Sequence, residues 1–91
     1  MDTEIVHHPE RRRFEVELGG GQLAELTYTL QSGTMSLTHT YVPGAFEGRG
    51  IAGRMTQAAL EYAERNRLEV IPVCSFAVSY MARHARKSER T

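Results

Sequence analysis

From Arg13 to Leu18 the chain reads R-F-E-V-E-L, with Phe14, Val16 and Leu18 on one side and Glu15 and Glu17 on the other. A period of two is the mark of a half-buried strand. Gly19–Gly21 turn the chain, and Leu23–Leu30 alternates again, placing Ala24, Leu26, Tyr28 and Leu30 on one face. After Gln31–Gly33, another turn signal, Thr34–Val42 puts Met35, Leu37, His39 and Tyr41 on one face. Three strands joined by short turns predict an antiparallel meander. Beyond Gly50 the period lengthens. Ile51, Met55, Ala58, Ala59, Tyr62 and Ala63 recur at helical spacing, predicting a helix from Gly50 to Asn66. Asn66 suits the C-cap because Asn tolerates the left-handed conformation. Leu68–Val73 is a short apolar strand that a right-handed crossover lays parallel to the third strand. Ser75–Arg86 reads as a second, shorter helix with Ser75 as N-cap. The fold class is α/β (α+β). Residues 1–10 carry no period and 86–91 are polar, so both ends are expected to be flexible. His7 and His8, before Pro9, read as part of a solvated arm rather than a metal site.

Composition narrows the function. Ninety-one residues make one domain. Eleven basic and eleven acidic side chains cancel, which argues against nucleic acid and against an anionic membrane as partners. No apolar run approaches the ~20 residues of a membrane helix. The polar, acidic N-terminus does not read as a signal peptide. A single cysteine, Cys74, excludes an internal disulfide and fits a reducing compartment. The expectation is a cytoplasmic domain, a monomer or a weak homodimer.

Gly48, Gly50 and Gly53 spell G-x-G-x-x-G, the spacing of dinucleotide-binding loops. That fold needs several parallel βαβ units and an acidic residue ~20 positions on, at the end of the next strand. Here the glycines follow a meander, and Glu69 opens the next strand instead of closing it. A P-loop fails too, because Arg54 and Met55 stand where Lys and Ser/Thr belong. What survives is general. A glycine turn opening a helix aims free N–H groups, and the positive end of the helix dipole, at one point. A diphosphate suits such a point, with Arg49 and Arg54 adding charge. The plain alternative is a tight turn into a helix.

The order strand, V-P, glycine loop, helix, strand, helix resembles the GNAT acetyltransferases. Their coenzyme A motif, [Q/R]-x-x-G-x-[G/A], is matched by Glu47-Gly48-Arg49-Gly50-Ile51-Ala52 at Gly50 and Ala52, with Glu47 departing at the first position. H-T-Y-V-P (39–43), G-R-G-I-A-G-R-M (48–55) and V-I-P-V-C-S-F-A-V-S-Y-M-A-R-H (70–84) resemble a short, single-domain subfamily that lacks the helical region shaping an amine pocket in larger relatives. Where that subfamily continues R-H-P-E-Y, this chain has R-H-A-R-K.

The resemblance implies acetyl-CoA as cofactor, its pantetheine along Tyr41, Val42 and Pro43 and its diphosphate on Glu47, Gly48, Arg49, Gly50, Ile51, Ala52, Gly53 and Arg54. It also implies a backbone N–H polarising the thioester carbonyl. Cys74 falls where the subfamily has a cysteine facing the cofactor thiol, beside a helix start that favours thiolate. It is a candidate nucleophile or a small core residue. His39 is a candidate base, or a partner orienting Cys74, or a hydrogen-bonded core histidine. Tyr80 is a candidate acid or a packing residue. Arg83 and His84 match the subfamily's R-H and bind phosphate or cap the last helix. The function implied is acetyl transfer to an unidentified amine, which attacks directly or through Cys74. The alternatives are a non-catalytic coenzyme A or acyl-CoA binder and, more weakly, an interaction module using the sheet edge.

Overall fold

The structure, a computed structural model, describes residues 4–89. Five strands lie side by side in chain order: β1 (Ile5–His8), β2 (Arg13–Gly19), β3 (Gln22–Gln31), β4 (Thr34–Tyr41) and β5 (Glu69–Pro72). The first four run antiparallel, and β5 is parallel to β4. Helix α1 (Ile51–Arg65) makes the crossover between them, and α2 (Ser75–Glu89) follows β5. The meander therefore has four strands, not three.

The first strand overturns the expectation of a flexible arm for residues 5–10. His7 points inward and pairs with Phe14. Its ring stacks on Phe14 at 4.0 Å and meets Tyr62 edge-on at 4.5 Å, and its Nε2 lies 2.6 Å from the Tyr28 hydroxyl. A histidine stands in this strand where the pattern calls for an apolar residue, so its period was invisible. His8 faces the other way and pairs with Glu15 at 3.3 Å. At the far end α2 continues through Glu89, past the expected stop. The rest of the arms expected to be flexible, residues 1–3 and 90–91, lies outside the described residues.

The core lies between the sheet and both helices. Val16, Leu26, Met35, Leu37 and Met55 are fully buried, with Ala59, Ala63 and Ala77 letting the helices approach closely. Thr56 is buried on α1, where its hydroxyl donates to the Ala52 carbonyl at 2.9 Å and is thereby satisfied. The other sheet face carries cross-strand charges, with Arg13 bridging Glu15 and Glu25. Asn66 is the C-cap of α1 but is not left-handed; its side chain donates to the Tyr62 carbonyl, and Arg67 takes the positive φ of 56°. On β5, Glu69 and Val73 donate N–H groups to β4, so Val70 and Pro72 face the free edge. No helix of the described residues is long and apolar enough to cross a membrane.

Candidate functional site

β4 and β5 begin together and then part. Their register runs from Thr34 opposite Glu69 to Leu37 opposite Pro72. There the Leu37 carbonyl accepts from both Val73 N–H at 2.9 Å and Cys74 N–H at 3.0 Å, and the chain turns away into α2. β4 runs on to Tyr41 against β3 only. Its other edge, from Thr38 onward, is left facing a gap.

A β-bulge decides what faces that gap. Tyr28 opposes Leu37, but Thr27 opposes His39, leaving Thr38 as the extra residue. Thr38 and His39 both face outward with Thr27, and the Thr38 hydroxyl lies 3.0 Å from that of Thr27. Alternation then resumes in the opposite phase. Thr40, opposite the fully buried Leu26, turns inward, and Tyr41 turns outward, 50% exposed. This corrects the expected face. His39 and Tyr41 do not continue the row of Met35 and Leu37; Thr40 and Val42 do. Thr40 Oγ1 lies 3.2 Å from Cys74 Sγ. Cys74, half-buried, is the sole cysteine of the chain. Its carbonyl accepts Val78 N–H at 3.1 Å, so Cys74 rather than Ser75 occupies the N-cap position of α2.

The opposite wall is the glycine segment. Pro43 precedes a 3₁₀ turn, Gly44–Phe46, closed by Phe46 N–H on the Pro43 carbonyl at 2.8 Å. Gly48 and Gly50 then take φ of 83° and 80°. A Cβ at either would meet nothing within 4 Å, so the left-handed backbone, not crowding, requires glycine. Gly50 is the N-cap of α1 and has no side chain to satisfy the first turn. The first intrahelical bond is Arg54 N–H to the Gly50 carbonyl at 3.0 Å. The N–H groups of Ile51, Ala52 and Gly53 precede it and end the helix as donors.

Between these walls runs a groove of about 500 Å³ lined by Thr40, Val42, Phe46, Gly50, Ile51 and Tyr80, among others. Of the residues expected to bind cofactor, Val42, Glu47, Gly48, Gly50, Ile51, Ala52, Gly53 and Arg83 line it. The rest stand apart from the lining. Tyr41 points to the outer face, Pro43 is buried, Arg49 lies over the Phe46 ring at 5.1 Å, and Arg54 is exposed on the first turn of α1. Cys74 meets the groove through Thr40. Tyr80 is buried and ties α2 to α1: its hydroxyl donates to Gln57 Oε1 at 2.9 Å, and a Cβ on Gly53 would come within 3.4 Å of its ring. Its ring also stacks on His84 at 3.9 Å. His84 Nδ1 lies 2.9 Å from the Tyr80 carbonyl, which can only accept, so the proton is on Nδ1.

Uncapped helix donors and the end of β4 meet at one groove, and Thr40 on its wall touches the Cys74 thiol. Residues 13–90 match the sequence profile of the GCN5-related N-acetyl-transferases. The chain belongs to this family. It is 35% identical over 79 residues to Protein NATD1 of Xenopus tropicalis, covering 85% of this chain and 72% of that protein. Against Protein NATD1 of Homo sapiens the identity is 34% over 79 residues, covering 85% and 70%. The NMR solution structure of a GCN5-like protein from Staphylococcus aureus superposes with a TM-score of 0.66 at 28% identity, over 96% of this chain and 80% of that one. The family match spans β2 to α2 and therefore the whole cleft. Coenzyme A fits the groups present in this N-acetyltransferase-family chain. The α1 start offers N–H donors with no side-chain cap competing for them, and the free edge of β4 can pair with amides.

Proposed function

We propose that the chain transfers an acetyl group from acetyl-CoA to an amine. The observation that carries this reading is the divergence of β4 and β5 directly beside the uncapped start of α1. When bound, acetyl-CoA supplies an activated acetyl thioester. Ile51, Ala52 and Gly53 N–H groups hold its diphosphate at the positive end of α1, and Arg83 adds charge at the rim. The free edge of β4 from Thr38 to Tyr41 orients the pantetheine amides and can aim an N–H at the thioester carbonyl. The bulge divides the work between two faces. Thr40 and Cys74 stand on the groove side, and His39 stands on the open side of the sheet. An amine approaching through the gap from the open side meets His39, whose ring nitrogen can take its proton. Tyr80 supports the groove wall, since its hydroxyl proton is engaged by Gln57.

Glu47 favours a second reading. It stands where the family's coenzyme A motif has Gln or Arg and lines the groove, and this departure at the cofactor site, with no helical region to shape an amine pocket, suits a binder without turnover. Calorimetry with acetyl-CoA, followed by an amine panel, separates the two. The expected result is binding, turnover with at least one amine, and a loss of tenfold or more in His39→Ala (about 1.4 kcal/mol). Binding without turnover leaves the binder, and no binding overturns both.

A further inference from the structure

We propose that Thr40, turned to the inner face by the bulge at Thr38–His39, is a positioning residue for the Cys74 sulfur. The inference rests on the cofactor cleft described above, but its test does not.

The geometry argues in three steps. First, the side chain that meets the sulfur is selected by strand phase. Unbroken alternation from Met35 and Leu37 would present His39 to the groove side; the one-residue bulge presents Thr40 instead. Second, the two groups belong to strands that have already separated. Pairing ends at Leu37 and Pro72, so the Thr40–Cys74 contact at 3.2 Å is a side-chain bridge across the gap beyond the last ladder bond. It fixes where the gap ends and which way the sulfur points. Third, the polarity of the contact follows from its surroundings. Cys74 is at the N-cap of α2, where the first N–H groups of a helix point toward the cap side chain. In this assignment the sulfur is the acceptor and the half-buried Thr40 hydroxyl the donor. His39 in that place would bring a larger ring into the groove. Thr40 gives the sulfur a partner that keeps one protonation state at all physiological pH values.

The chain has one cysteine, so thiol chemistry reports on this position alone. The test is the rate of alkylation by iodoacetamide at fixed pH, in wild type, Thr40→Val and Thr40→Ser, with Cys74→Ser as the blank. Valine keeps the shape of threonine without the hydroxyl, and serine keeps the hydroxyl without the methyl. Thr40→Val is expected to slow alkylation about three- to tenfold, the worth of one hydrogen bond. Thr40→Ser is expected to stay within about twofold of wild type, which a purely steric role would not produce. Circular dichroism of both variants establishes that they fold; should Thr40→Val fail to, Thr40→Ala against Thr40→Ser makes the same comparison. Equal rates in the hydroxyl-bearing and hydroxyl-free variants, or faster alkylation without the hydroxyl, would overturn the assignment. A separate arm measures protection of wild-type Cys74 by acetyl-CoA. Protection supports the placement of the sulfur at the cofactor cleft. Its absence, with the Thr40 pattern intact, sinks the cofactor reading and leaves the positioning role standing.

Discussion

The two ends of the sheet solve opposite problems. At the β1–β3 end, every strand is paired and the rings of His7, Phe14, Tyr28 and Tyr62 fill the space under α1. At the β4–β5 end, pairing stops at Leu37 and Pro72, two glycines hold positive φ, and a helix begins uncapped. One end closes over a cluster of rings, with only the outer side of β1 unpaired; the other leaves strand-edge groups and helix donors aimed at a groove. In so small a domain the first makes the second tolerable, because unmade backbone bonds need a rigid frame to hold them in place.

Breaking the frame should have the largest effect. Leu26 is fully buried at the centre of β3, between Phe14 and Thr40 in register. Leu26→Ala is expected to cost about 2–5 kcal/mol in urea unfolding, a large part of the stability of a domain this size. Loss of less than about 1 kcal/mol would mean that the two ends do not share this core. A change confined to the open end should cost less stability and more binding. Gly50→Val puts a β-branched residue at φ 80°, strained by about 1–2 kcal/mol. It should weaken acetyl-CoA binding at least tenfold, about 1.4 kcal/mol, whereas Gly50→Asn, which tolerates that φ, should keep more of both. Wild-type affinity in a folded Gly50→Val protein would remove the α1 start from the site.

The smallest effect belongs to the closed end and to pH. Burial, followed by the neighbouring His8, holds His7 below its ordinary value of 6.5, and burial with Tyr62 beside it raises Tyr28, keeping the phenol protonated. Because the folded value of His7 is depressed, the unfolded chain takes up the proton first as pH falls. The contribution of His7 is complete above about pH 6.5 and is lost as pH drops through its folded value. The melting temperature should therefore fall on acidification below neutral, and His7→Phe, which can keep the stack on Phe14, should flatten that part of the profile. An unchanged profile would remove His7 from the account.

Three strands of the meander and both helices were legible because their side chains face water on one side and a core on the other. The expected helix over Gly50–Asn66 differs from α1 only in that its terminal residues are the caps. β1 was hidden because His7 takes a core position and four residues carry too little alternation. The glycine segment was legible as a turn into a helix, though Gly48 and Gly50 serve backbone conformation, while Gly53 lies against the Tyr80 ring. Thr40 was not legible. T-H-T-Y alternates in either phase, and the bulge that selects one is set by pairing with β3, a property of two strands that neither carries alone.

Pro72 has a bearing on how this protein behaves in a crowd. Its missing N–H falls at the outward edge of β5, between Ile71 and Val73, which are 44% and 57% exposed. The formal charge of the chain is zero near neutral pH, so long-range repulsion between copies is weak. A greasy strand edge on a particle of zero net charge is a template for stacking. Proline removes the donor that a second strand would need there. Colloidal stability, which many small proteins draw from net charge, rests at this edge on one imino acid.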